Sequence, residues 1–220
     1  MKLRLHNYWR SSASHRVRIA LGLKQLAYEY VVVDIIAPGG GQQKSPEYRE
    51  KNPMMQVPTL ELVESEHDGS SRLLQQSLPI IEFLDETFPG APLLPKDPFS
   101  RARARALAEI VNSGIQPLQN LSVTKRVKQL GGDDAQWARD FIRPGLEAFS
   151  ALVAETAGRF CVGDEPSIAD CCLVPQIHSA RRFGASLDGL DRIVRIADEC
   201  DALPAFANAL PARQPDARAA

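Results

Sequence analysis

Residues 7–21, NYWRSSASHRVRIAL, place three serines within four positions, directly ahead of an apolar segment studded with arginines. Ser11, Ser12 and Ser14 stand between Arg10 on one side and Arg16 and Arg18 on the other. A serine at a helix start is commonly a cap, its oxygen accepting a first-turn N–H. Three of them beside a cation also suit an anion or a thiolate, because the free N–H groups and dipole of a helix N-terminus favour negative charge. A hydroxyl donor in that place lowers a thiol pKa from roughly 8.5 and so raises the share of nucleophilic thiolate at neutral pH. The chain brings no thiol of its own to this end, since its cysteines are Cys161, Cys171, Cys172 and Cys200.

Two further stretches offer polar groups to a ligand. In QVPTL, Pro58 follows Val57 at the start of a β-branched run, an awkward place in a central strand. Either the segment is an edge strand with a trans bond, or a cis Val57–Pro58 bond bends the chain and turns the Val57 N–H and C=O outward. In LQQSLPIIEFL, Gln76 and Ser77 lie where a strand hands over to a helix. Ser77 there is a cap, or part of a carboxylate site at the helix N-terminus. By contrast, Ser167 and Asp170 in GDEPSIADCCLVPQI have capping-box spacing before an apolar run and read as structural.

Other chemistry is excluded. PGGGQQK lacks the Gly-Lys-Ser/Thr ending of a phosphate loop. His6, His15, His67 and His178 have no metal-ligand spacing, so no metal is expected. RARAR and KRVK are short and lack aromatic partners, and the formal net charge is −1, which leaves nucleic acid and acidic membranes without an electrostatic attraction. The longest apolar run, Tyr30 to Ala37, is interrupted by Asp34 and too short to span a bilayer. Lys2 and Arg4 are not followed by the apolar core of a signal peptide, so the cytoplasm is the expected location. The 220 residues, 44% hydrophobic and 24% charged, are ordinary for a globular protein. Adjacent Cys171 and Cys172 are poorly placed to bridge, and no CxxC pair occurs, so buried free thiols are expected.

The elements that must carry these groups fall into two halves. Leu3 and Leu5 alternate with polar residues as a half-buried strand, and the serine turn then opens a helix reaching about Leu26. Tyr28 to Ile35 reads as a second strand, APGGGQQKSPEYREKNP as turns, QVPTLELVE and SRLLQQS as strands, and SLPIIEFLDETF as a helix. Phe88 to Phe99, with four prolines, reads as a linker. Thereafter Ser100–Leu130, Asp134–Ala157, Ser167–Phe183 and Asp191 to about Leu210 read as helices, with kinks or breaks at Pro117 and Pro144 and a frayed QPDARAA tail. Residues 1–87 thus form an α/β domain, 88–99 the linker, and 100–220 an all-helical domain.

Together these features resemble the cytosolic glutathione transferases, and within them the zeta class. RSSASHRVRIAL stands in place of that class's serine motif, and GGGQQ, NPMMQVPTL, QQSLPIIEFLDE, GIQPLQNLSV, CVGDEPSIADCCLVPQ and ARRF also look like zeta-class segments, so the resemblance spans nearly the whole chain. Two departures are Ala13, where the class usually has cysteine, and His15, where it usually has tryptophan; its maleylpyruvate-isomerising members also have histidine there.

The resemblance implies a thioredoxin-like domain plus an all-α domain, a cis Val57–Pro58 bond, glutathione as cofactor, a homodimer, and glutathione-dependent isomerisation of maleylacetoacetate to fumarylacetoacetate. Residue by residue, it makes Ser11, with Ser12, the hydroxyl donor to the glutathione sulfur, and leaves Ser14 as cap or packing residue. Gln43 falls near the glycine end of glutathione, Val57 beside Pro58 pairs with its cysteinyl backbone, and Gln76 and Ser77 take its γ-glutamyl carboxylate. Gln116, Asn120 and Ser122 close the site from the second domain. A dianionic, dicarboxylate substrate needs cations, a part given to Arg10 and Arg182, with Arg181 pointing elsewhere. Maleylpyruvate, an α-haloacid, or a non-catalytic binding role are the alternatives.

Overall fold

The computed structural model describes residues 2–65, 67 and 69–218; Met1, Glu66, Asp68, Ala219 and Ala220 lie outside the described residues. The chain divides into two compact units, Met1–Ala91 with Pro204–Ala220, and Pro92–Leu203. The stretch from Pro204 onward therefore belongs to the first unit and not, as expected from the sequence, to the helical domain.

The first unit is built on a four-stranded mixed sheet in the order β2-β1-β3-β4, formed by β1 (Lys2–Asn7), β2 (Glu29–Val32), β3 (Thr59–Val63) and β4 (Ser71–Gln75). β1 pairs parallel with β2 and antiparallel with β3, and β3 antiparallel with β4. The register sets Leu3 opposite Leu62 and Leu5 opposite Leu60, which in turn faces Leu74, so alternation puts an apolar row on one face. On the other face Arg4 stands opposite Glu61 and His6 opposite Thr59. Helices α1 (Ser12–Leu23) and α3 (Ser77–Thr87) pack on each other and bury Val17, Ile19, Ile80, Ile81 and Leu84.

Several elements differ from expectation for local reasons. β2 ends at Val32, short of Ile35, because the Asp34 carboxylate accepts the Ile36 N–H at 3.0 Å and turns the chain. The turn-rich stretch contains a short helix, α2 (Pro46–Lys51), capped by Ser45, whose oxygen accepts the Tyr48 N–H, with proline at the first position. α1 ends at Leu23 rather than Leu26. Gly22 there lets α9 (Pro204–Ala209) cross closely, since a Cβ would lie 3.1 Å from the Ala205 Cα.

The second unit is helical. The expected Ser100–Leu130 helix is broken into α4 (Pro98–Glu109), a π-helical turn Ile110–Ile115, and α5 (Leu121–Gln129) capped by Asn120. Pro117 lies in that break, whereas α6 (Asp134–Val153) runs through Pro144 uninterrupted. α7 (Ile168–Phe183) starts at the expected capping box: Asp170 accepts the Ser167 N–H at 2.8 Å and Ser167 accepts the Ala169 N–H at 3.3 Å. α8 (Asp191–Asp201) stops before Pro204, which opens α9, so the single helix expected from Asp191 to Leu210 is two. All four cysteines are free and buried in this unit. No helix among the described residues is long and apolar enough to cross a membrane.

Candidate active site

Sheet topology alone gathers the first unit's candidate residues. β1 runs into the serine turn at its C-terminal end, and β2, parallel to it, runs toward the loop bearing Gln43. β3 is antiparallel, so its N-terminal end, just after Val57 and Pro58, lies beside the same edge, where His6 faces Thr59. Thr59 in turn faces Gln75, the last residue before Gln76 and Ser77. Four loops therefore leave one end of one sheet.

In the serine turn, Ser11 is the N-cap of α1, its Oγ accepting the Ser14 N–H at 3.2 Å. That bond uses an oxygen lone pair and leaves the Ser11 O–H able to donate elsewhere. Ser12 begins the helix and is half-buried, as is Ala13. Ser14 is wholly buried, and its hydroxyl has no hydrogen-bond partner among the described residues, so of the two roles open to it the structure selects packing. His15 is buried within α1.

The Val57–Pro58 bond is cis. A polar network behind it fixes the loop: the Tyr48 hydroxyl donates to the Gln56 carbonyl at 2.7 Å and meets Thr59 Oγ1 at 3.0 Å, while Asn52 Nδ2 donates to the same carbonyl at 2.8 Å. Burial pushes the Tyr48 phenol up to about 12, so it stays a donor across the physiological range. Among the described residues neither the Val57 N–H nor its carbonyl is paired, which leaves an extended main-chain segment available to a peptide.

Gln76 takes φ 71°, ψ 127° as it leads into α3, a conformation that L side chains rarely adopt and that costs on the order of 1–3 kcal/mol. It occupies the cap position with no side-chain cap bond, so Ser77 is the first helical residue rather than the cap. The Ser77 hydroxyl accepts from Arg16 Nη1 at 3.2 Å, bringing a buried guanidinium to the start of α3. The sequence marks Arg16 only as a flanking cation; i to i+61 contacts of this kind carry no local signal. Gln43 lies in a 3₁₀ turn, Gln42–Lys44, where its Nε2 donates to the Gly40 carbonyl at 3.3 Å and its Oε1 is buried with no hydrogen-bond partner among the described residues.

In the second unit, Gln116 follows the π-helical turn, and Asn120 accepts both the N–H and the hydroxyl of Ser122 at 3.1 Å. Arg181 Nη2 pairs with Asp198 at 3.7 Å, and the Arg182 guanidinium carbon lies 4.7 Å from the Phe183 ring centroid. Arg10, in the first unit, is exposed and stands 5.6 Å from the Trp9 ring centroid. Among the described residues no group of three or more His, Cys, Asp or Glu side chains is placed to hold a metal ion.

A mixed sheet of this topology with a cis-proline turn, continued by an all-helical unit, defines the glutathione transferase class, and residues 5–92 match the family model for the glutathione S-transferase N-terminal domain. Over 212 residues the chain is 47% identical to the maleylacetoacetate isomerase of Mus musculus, covering 96% of this chain and 94% of that one. A crystal structure of maleylacetoacetate isomerase from Anaeromyxobacter dehalogenans, with glutathione bound in the active site, superposes with TM-score 0.88 at 50% identity, over 99% and 98% of the two chains. That protein has also been solved with dicarboxyethyl glutathione and citrate bound, matching at TM-score 0.86 and 47% identity over 99% and 98% of the chains. A zeta-class bacterial maleylpyruvate isomerase matches at TM-score 0.88 and 38% identity, over 98% and 100%. The chain belongs to the maleylacetoacetate isomerase family, within the zeta class of glutathione transferases.

Proposed function

We propose that the protein is a glutathione-dependent cis–trans isomerase that converts maleylacetoacetate to fumarylacetoacetate in the breakdown of tyrosine and related aromatic compounds. The observation that carries this is the placing of a hydroxyl donor, Ser11, at a helix start on a sheet end where the chain has no cysteine, so that the thiol must come with the ligand. The residues present fit glutathione. Unpaired Val57 main chain suits its cysteinyl peptide, the orphaned Gln43 Oε1 suits an N–H near its glycine end, and the first turn of α3 with Gln76, Ser77 and Arg16 suits its γ-glutamyl carboxylate.

Glutathione, when bound, supplies a sulfur nucleophile that adds to the cis double bond and is released unconsumed after the bond has turned. The Ser11 hydroxyl donates a hydrogen bond to the sulfur and so favours its thiolate form, polarised by the Ser14 N–H it accepts and backed by the positive end of α1. Ser12 is the second hydroxyl of the same turn. Arg10 in the first unit and Arg182 in the second are each a guanidinium suited to a carboxylate of a dianionic substrate, and each lies against an aromatic ring that limits its side-chain freedom. The protein works as a homodimer in the cytoplasm, a placement supported by its four free thiols.

Maleylpyruvate is the second reading, favoured by His15 and by the likeness to a maleylpyruvate isomerase. Measuring kcat/KM for maleylacetoacetate and maleylpyruvate, by absorbance with and without glutathione, decides between them. The larger value is expected for maleylacetoacetate, with no turnover when glutathione is omitted. Preference for maleylpyruvate would transfer the assignment to the second reading.

A further inference from the structure

The C-terminal segment, which looks frayed in sequence, is tied down through Arg218, and its ties lead to the serine turn. Asp216 accepts the main-chain N–H of Trp9 on Oδ2 at 3.0 Å and the Tyr30 hydroxyl on Oδ1 at 2.5 Å. Gln214 donates to the Asn208 and Leu210 carbonyls, both at 2.9 Å, folding the segment against the end of α9, and Arg218 pairs with Asp34. Arg18, buried in α1, donates to the Trp9 carbonyl at 2.9 Å and to the Ala209 carbonyl at 3.2 Å. The Trp9 peptide groups on both sides are therefore held from outside the turn, the N–H by Asp216 and the carbonyl by Arg18. Two residues later comes Ser11, whose own N–H bonds back to the Tyr8 carbonyl at 3.0 Å.

We propose that Asp216 is a positioning residue: from the C-terminal segment its carboxylate fixes the Trp9 main chain, and so holds the Ser11 hydroxyl where it meets the sulfur of glutathione. This rests on the role given to Ser11 above. Burial first, and the Asp216 carboxylate second, push the Tyr30 phenol above its ordinary range, so Tyr30 remains a donor that keeps the carboxylate oriented. The chain between the sheet and Ser11 is short, and small displacements of a reacting group are costly to rate.

The test compares wild type, Asp216→Ala and Tyr30→Phe by titrating the thiol of bound glutathione through its thiolate absorbance, with kcat and KM measured beside it. Asp216→Ala is expected to lower kcat about tenfold. The KM for glutathione should change by less than about twofold, and the thiol midpoint should rise by about half a unit or more. Tyr30→Phe, which leaves the Trp9 contact in place, is expected to fall between the two, and it carries the test if Asp216→Ala does not fold. A variant that melts earlier but keeps the wild-type thiol midpoint and kcat would reduce Asp216 to a structural tie and overturn the inference. A wild-type protein that does not lower the thiol midpoint at all would instead overturn the reading of Ser11.

Discussion

Arg16 Nη1 and Ser77 Oγ lie 3.2 Å apart, joining the second turn of α1 to the first residue of α3 inside the protein. The serine turn and the start of α3 are thus mechanically linked, with a buried cation between them. Ser77→Ala removes the hydroxyl and leaves that cation without this acceptor. It is expected to weaken glutathione binding by about tenfold or more, in the range for a hydrogen bond to a charged group, while changing kcat little. Calorimetric titration with glutathione checks this, and an unchanged affinity would remove Ser77 from the binding site.

Ser11 caps α1 and, in the proposed function, donates to the glutathione sulfur, and substitution can separate the two. Ser11→Ala loses the donor and the cap together, and should cut turnover by about one to two orders of magnitude and stability by about 1 kcal/mol. Ser11→Asp keeps an acceptor for the Ser14 N–H but no O–H, so its melting temperature should stay near wild type while turnover falls. Ser14→Ala deletes a buried hydroxyl that has no hydrogen-bond partner, and should leave turnover unchanged with stability equal or higher. Equal turnover losses for positions 11 and 14 would contradict the assignment.

The arginines give a sharper contrast. Arg10→Ala and Arg182→Ala are each expected to cost ~1.5–3 kcal/mol in kcat/KM for a dianionic substrate, with glutathione affinity nearly unchanged. Arg181→Ala breaks an exposed pair with Asp198 and serves as control. If Arg181→Ala is the impaired variant, or both clamps go without effect, a haloacid or neutral substrate replaces the dicarboxylate.

His6 ties stability to pH. Its Nε2 lies 2.6 Å from Glu61, yet burial lowers its pKa more than that carboxylate raises it, with Lys51 and Arg4 adding repulsion. Glu61 stays ionised because His6 and Lys51 outweigh its own burial. Native His6 is therefore neutral where the unfolded chain, with a pKa of about 6.5, already binds a proton. Stability should then rise with pH in that window and fall on acidification below about pH 6.5. Urea midpoints at about pH 7.5 and about pH 5.5 check this, and His6→Asn should show a smaller difference than wild type.

Local signals were legible where one residue's chemistry decides a conformation. Ser167 and Asp170 announce their capping box and the serine turn its helix, whereas Val57–Pro58 leaves trans and cis open until the family resemblance selects the bend. The short helix α2 had the same kind of signal, Ser45 before Pro46, but the surrounding glycines and prolines masked it. Pro204 likewise marks the split between α8 and α9. What the sequence hides is long-range: Arg16 meeting Ser77 across 61 positions, and Asp216 meeting Trp9 across 207, depend on packing that no spacing encodes. Pro144 shows the reverse case, a breaker overridden because the long apolar face of α6, with Ile142, Leu146 and Phe149, is buried on both sides of it.

Activation by the serine turn of a thiol that the protein does not own is read out by the pH titration of glutathione thiolate absorbance in the presence of wild-type protein. Such activation requires a midpoint at least about one unit below the roughly 8.5 of a free thiol. It also requires most of that shift to be lost in Ser11→Ala. A thiol that titrates on the protein as it does in solution, or a lowered midpoint that survives the loss of Ser11 unchanged, would contradict it.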